Sequence, residues 1–163
     1  GAVIKNPDGY SFYLKIFSDM ENNGIWAPDQ TILSGNIDQH IKEASGKSFQ
    51  GYMLTTDSIG GIILDSDVSF SGNTWDMNKC LVTTNGYNLL TKNCILNNGK
   101  ILANKSLIFN NTAIASMNFS GSYSLGGKVR ARGDNVFNGT PCIMNMRLAQ
   151  RLNSMPKLST TEK

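Results

Sequence analysis

The chain has 163 residues, 40% of them hydrophobic and 17% charged, with a net charge of +3 at neutral pH. That length buries one ordinary core and the apolar share is enough to fold it, while so mild a charge does not by itself argue for nucleic acid. No apolar run approaches the roughly 18 residues a membrane helix needs, and 16 Gly with abundant Asn, Ser and Thr give the polar composition of a turn-rich β protein.

The first stretch, 1–58, is expected to be a mixed α/β portion. In "YSFYLKIFSDMENNG", Phe12, Leu14, Ile16, Phe17 and Met20 precede Gly24. The spacing predicts a helix from Tyr10 to Asn22, with a strand over "SFYLKIF" as the alternative. "IWAPDQTILSG" reads as extended chain around Pro28 and then a short strand. "GNIDQHIKEASGKS" sets Ile37, Ile41 and Ala44 at helical spacing, with Asn36 as a cap and Gly46 as the stop. "GYMLTTDS" reads as a strand.

From 59 to 140 a repeat takes over. Apolar cores at Ile62 to Leu64, Val68 to Phe70, Leu81 to Val82, Leu89 to Leu90, Ile95 to Leu96, Ile101 to Leu102 and Leu107 to Phe109 are separated by Gly, Asn, Ser, Thr or Asp. The layout recurs about every 18 to 20 residues, a repeat signature. In a parallel β-helix each coil lays its strands over those of the previous coil, and its corners need residues that tolerate left-handed backbone, as Asn and Gly do. Three chains sharing one triangular core fit the same period. The competing fold is an antiparallel meander, because "TNGY" and "NNGK" are hairpin signals. After Thr140, Pro141 suits a first helical position and Met144, Leu148 and Leu152 fall on one face. This predicts an amphipathic helix over 141–156, a polar tail over 157–163, and a place for the helix to dock, on its own domain or in a trimeric bundle. The fold class expected is mainly β with flanking helices (α+β), as one unit that forms a trimer.

Residues that could carry chemistry are few. One histidine, His40, argues against a His-dependent triad or a His-rich metal site, and Cys80, Cys94 and Cys142 fit no zinc spacing. Three reduced, buried thiols are expected, which points to assembly in a cytoplasm. Gly1 in place of Met reads as a processed product, a fragment or a tag remnant. In "FSDMEN", Ser18 with Asp19 and Glu21 is the candidate for self-cleavage by an N-to-O shift. In "GSYSLGGKVRARGDN", Gly121 to Lys128 is one residue too long for a Walker loop, and Val129 sits where the hydroxyl belongs. Alternation along a strand still puts Lys128, Arg130 and Arg132 on one face for a phosphate or polyanion contact. Asp65 and Asp67 point the same way from a strand. Asn104, Asn110, Asn118 and Asn138 each open a glycosylation sequon. Trp26, Trp75, Tyr87 and Tyr123 are the aromatics that could stack on sugar, against a bland reading as core.

The repeat in "NLLTKNCILNN", "SLIFNNTAI" and "NVFNGTP", together with "IMNMRLAQRL" for the helix, resembles the distal end of bacteriophage tailspikes. More specifically, the layout is similar to the releasable C-terminal domain of the preneck appendage proteins of small podophages. That resemblance implies an intramolecular chaperone that forms a homotrimer, brings the upstream β-helical chains of the same precursor into register in the host cytoplasm, and is released by autoproteolysis. It also implies ATP as a bound nucleotide. The Ser/Lys endopeptidase motif and long coiled coil of many phage chaperone domains are not found in this sequence. The competing class is a receptor- or glycan-binding tip of a tail fibre.

Overall fold

Short apolar triplets with polar corners cannot bury themselves alone, and each here finds its partners in the turns of chain before and after it. The computed structural model describes residues 2–138 and the backbone of 144–148. Within it every pairing between strands is parallel.

The chain winds through three faces in turn. β1 (Val3–Lys5), β2 (Tyr13–Ile16) and β3 (Met20–Asn22) open faces 1, 2 and 3, and β4 (Ile25–Ala27), β5 (Gln30–Leu33) and β6 (Gln39–Glu43) repeat them. Phe49, bridged to Trp26 and Phe70, carries face 1 through the next coil. β7 (Met53–Thr56) and β8 (Ile62–Leu64) complete that coil, and β9 (Val68–Phe70), β10 (Thr74–Asp76) and β11 (Leu81–Thr83) form another. β12 (Leu89–Lys92) starts a coil that β13 (Ile95–Ala103) finishes across faces 2 and 3, and β14 (Ser106–Gly121) covers all three faces. β15 (Ser124–Arg132) and β16 (Val136–Phe137) follow, and β17 (Met144–Leu148) returns to face 1 over β15. The result is a parallel β-solenoid.

The core is a set of vertical columns. Leu54, Trp75, Leu96 and Ile114 stack on face 2, Ile62, Val82, Ile101 and Phe119 on face 3, and Val68, Leu89, Leu107 and Leu125 on face 1. All twelve are at most 5% exposed, and burying a side chain of this size contributes about 1.5–3 kcal/mol. Neighbouring columns meet through edge and tilted aromatic contacts, Phe70 with Trp75 at 5.5 Å and Phe109 with Phe119 at 5.9 Å. The two buried indoles are paired: Trp26 Nε1 donates to Thr31 Oγ1 and Trp75 Nε1 to Thr56 Oγ1, each at 3.0 Å.

Corners explain the asparagines. Asn85, Asn93, Asn98 and Asn111 have φ of 52°, 53°, 52° and 55°, the left-handed region that Asn enters more cheaply than most residues. Asn111 Nδ2 also donates to Asn93 Oδ1 at 3.0 Å, one coil below. Gly127 is at φ 84°, and a Cβ there would come within 1.5 Å of the Phe109 carbonyl oxygen, so only glycine lets β15 sit on β14. "TNGY" and "NNGK", which could have closed hairpins, instead turn the chain from one face to the next. The left-handed residue is the same in either case; the partner strand decides.

The expected helices are corrected. Among the described residues there is none. Tyr10 to Asn22 holds β2 and β3, with Leu14 and Ile16 turned inward between exposed Tyr13 and Lys15. The stretch from Asn36 to Gly46 is a loop followed by β6, in which Ile41 is 1% exposed but Ile37 is 76% exposed. A helix repeat would have needed both on one face. Of the helix expected over 141–156, residues 144–148 are β17; its remainder and the tail over 157–163 lie outside the described residues. Ladders also run across the expected boundaries, β7 with β10 across 58/59 and β15 with β17 across 140/141.

Candidate functional site

Ser18, Asp19 and Glu21 lie on the way into and along β3, and each is engaged by the coil above. Gln39 Nε2 donates to the Ser18 carbonyl at 2.7 Å, and the His40 backbone N–H donates to Asp19 Oδ1 at 2.8 Å. Lys42 Nζ stands 3.5 Å from Glu21 Oε1, which also accepts from Asn23 Nδ2 at 2.8 Å. These contacts, the Asn23 amide first and then the Lys42 ammonium, hold the Glu21 carboxyl below its usual value. Ser18 is not among the residues with left-handed backbone. The contacts of Asp19 and Glu21 and of the Ser18 carbonyl tie this segment to the coil above.

One coil further, His40 Nδ1 lies 2.9 Å from Asp65 Oδ2, both side chains about 40% exposed. That hydrogen bond, helped by the nearby charges of Asp65, Asp19 and Asp38, raises the imidazole above its ordinary value. Asp67, the second acid of the pair read on one strand, is tied elsewhere, accepting from the Asn88 backbone and side chain at 2.8 Å each. No group of three His, Cys, Asp or Glu could hold a metal ion among the described residues.

Sequence reasoning missed Glu43. It ends β6 on the inward side, 9% exposed, in register with Asn22 below. Its carboxylate accepts the Ser69 backbone N–H at 3.1 and 3.2 Å. Burial pushes it up to about 7, with the Ser69 hydrogen bond opposing. The signal was present: read as a strand, Gln39, Ile41 and Glu43 share one side.

The aromatics fall mostly inside. Trp75 is 0%, Tyr123 4% and Trp26 8% exposed, and Tyr87 is half-buried against the core. Both indole N–H groups are already spent on threonines. None of the three buried rings offers a face on which sugar could stack. Of the sequon asparagines, Asn104 is engaged at a corner, where its Oδ1 accepts from Thr84 Oγ1 at 3.0 Å.

Lys128, Arg130 and Arg132 are all exposed on β15, as alternation demands. They do not share a plane. Lys128 belongs to face 1, where it is in register with Arg147 of β17, whereas Arg130 and Arg132 stand over Ala113 and Ala115 on face 2. Val129 between them is 1% exposed and forms the corner.

A groove of about 510 Å³ opens on the outside of face 3. Ile59, Ile63 and Leu81 give it aliphatic walls, and Asp38, Asn78 and Lys79 stand among its lining residues. Asp38 Oδ1 accepts the Gly61 N–H at 2.6 Å, which fixes the carboxylate beside the loop before β8. Nothing local announces this groove, because it forms between loops of successive coils. No family model matches this chain, and no curated protein or solved structure matches it either.

Proposed function

We propose that this chain is a trimerisation and chain-registration unit of the tailspike type, the intramolecular chaperone that its sequence layout resembles. The observation that carries the reading is the outside of face 3. Ile37 is 76% and Ile59 84% exposed in the loops that lead into it, and Leu81 and Leu102 are 40% and 41% exposed on its strands. Scattered exposed aliphatics need no explanation. These lie along one face, Ile59 and Leu81 lining its groove, and lateral contact with two further copies removes them from water at about 25 cal/mol per Å².

Registering three long chains has a large loop-closure cost, and a compact trimer at one end raises the effective concentration of the rest. A parallel solenoid suits the role because its open ladder can continue the coils of an upstream β-helix in the same precursor, in the host cytoplasm. Release by self-cleavage, which goes with this reading, keeps Ser18 with Asp19 and Glu21 as its candidates, on a segment that the coil above holds through the Ser18 carbonyl, Asp19 and Glu21. ATP, the nucleotide of the same reading, has its cationic candidates in Lys128, Arg130 and Arg132, divided between two faces.

Light scattering over a dilution series, with and without ATP, tests the reading. The expected result is a trimer that persists on dilution and falls to monomer in Ile37→Asp/Ile59→Asp. A native chain that is monomeric at every concentration overturns it.

A further inference from the structure

The ladder of face 1 narrows at one level. It runs over three residue pairs between β1 and β4, three between β9 and β12 and four between β12 and β14. Between β4 and β9 it is reduced to Phe49, bridged to Trp26 below and Phe70 above. Phe49 donates its N–H to the Ser69 carbonyl and accepts from the Ser71 N–H, each at 2.9 Å. One step back along a parallel ladder, the Ser69 N–H would meet the Lys47 carbonyl. The chain turns there instead: the Lys47 N–H donates to the Ala44 carbonyl at 3.0 Å, and Gly46 stands at φ 75°.

Two inward side chains close this seam. A buried N–H without an acceptor is costly, and the Glu43 carboxylate takes the place of the missing carbonyl, accepting from Ser69 at 3.1 and 3.2 Å. Asn22, in register below Glu43, donates from Nδ2 to the Ser48 carbonyl at 3.2 Å and accepts the Gly24 N–H at 3.1 Å. The amide does this without charge, whereas a buried carboxylate does it easily only while it keeps a proton.

No counter-ion helps Glu43 to ionise. β4, β8 and β9 carry no charged residue. On the exposed side, Glu21 pairs with Lys42 and Asp65 with His40, which also has Asp19 and Asp38 nearby. Asp67 is held by Asn88, and Lys47 is exposed on the turn. Burial accordingly keeps the carboxyl up to about 7.

We infer that this seam is a proton-operated latch: protonated Glu43 holds the 44–48 segment against β9, and loss of the proton releases it. Release returns the Ser69 N–H to water and uncovers the edge-on contact of Trp26 with Phe49. Faces 2 and 3 stay joined, over four residue pairs between β5 and β7 and three between β6 and β8. The movement is therefore a hinge along face 1 that loosens the first two coils without unwinding them. The rigid part of the stack is longest in acid. The latch does not depend on the trimer reading, because the seam lies on face 1.

The test is amide hydrogen exchange of the whole chain, read by mass spectrometry from pH 5 to pH 8 and corrected for the intrinsic pH dependence of exchange. A carboxyl that ionises more easily in the open form makes opening more frequent as pH rises. Protection of 43–49 and 68–71 is expected to fall roughly tenfold or more across this range, while that of 95–102 and 113–120 stays constant. Glu43→Gln keeps an acceptor for the Ser69 N–H and cannot ionise, so its seam should stay protected throughout. His40→Gln removes the histidine beside the seam and should leave the fall intact. Constant protection of the native seam overturns the proposal, as does a fall shared equally by the tight coils, which is global unfolding. A fall that persists in Glu43→Gln, or one that vanishes in His40→Gln, also overturns it. The native profile and His40→Gln decide the matter even where Glu43→Gln fails to fold.

Discussion

The coils before Asn78 and those after it solve the same problem differently. In the first half successive coils are set 21 and 23 residues apart on face 3, and 23 and 21 apart on face 2 after a tight first step of 17. In the second half the steps settle to 18 and 18 on face 3 and to 18 and 17 on face 2. Backbone conformation accounts for the difference. Every left-handed residue other than glycine among the described residues lies from Asn78 onward. One such residue turns a corner with no loop, whereas the earlier corners swing out through longer segments that leave Ile37 and Ile59 in water. Tight corners make a regular ladder; loose corners make surface.

Core truncation is the harshest way to probe that contrast. Trp75 is 0% exposed, packs on Phe70 at 5.5 Å and sits where the loose coils meet the tight ones. Trp75→Ala is expected to cost about 3–5 kcal/mol in urea unfolding. Trp26, 8% exposed and close to the first coil, meets Phe49 edge-on at 5.8 Å. Since the ends of a stack open at lower free energy than its middle, Trp26→Ala should cost about 1–2 kcal/mol less. Equal losses would mean that the whole stack unfolds as one cooperative unit.

The loose half also contains a buried carboxyl, Glu43, which gives it a pH dependence near neutrality. In the fold Glu43 keeps its proton up to about 7, against an ordinary 4.5. The folded chain therefore binds more protons than the unfolded chain between those values, and stability falls as pH rises through them. The contribution is whole below 4.5 and gone above about 7. A gap of this size corresponds to roughly 3 kcal/mol. Glu43→Gln should remove that slope, so the difference in unfolding free energy between the two proteins should change across this window and be flat outside it. A difference that is constant from pH 4 to 8 would show that the carboxyl is solvated in the fold.

The same contrast explains what could be read in advance. From Gly60 onward the stacked coils are legible, because Ile62 to Leu64, Val68 to Phe70 and Leu107 to Phe109 each bury alternate residues between short polar corners. Before Gly60 the corners are long and carry their own apolar residues. Ile37 lies four residues before Ile41, as on a helix, and nothing local says that one faces water and the other the core. The candidate sites divide in the same way. Strand alternation is a local property, so the exposure of Lys128, Arg130 and Arg132 was readable. The corner at Val129, which puts Lys128 on another face, is set by the bulge at Asn110 and Asn111 one coil below. The burial of Trp26, Trp75 and Tyr123 was likewise a property of the stack and not of their neighbours in sequence.

The mildest probe acts on a single corner. Asn111 has φ 55°, donates to Asn93 and accepts from Arg130. Alanine there loses both hydrogen bonds and must hold a left-handed backbone that it disfavours by about 1–2 kcal/mol. Glycine loses the same bonds but tolerates the backbone freely. If the left-handed turn is what shortens the coils of the second half, Asn111→Gly should stay within about 1 kcal/mol of the native protein in urea unfolding, and Asn111→Ala should fall a further 1–2 kcal/mol below it. If the two variants lose the same amount, the asparagine ladder and not the backbone angle is what these corners select for. Asn93, which has the same angle and lies one rung lower, should then respond in the same way.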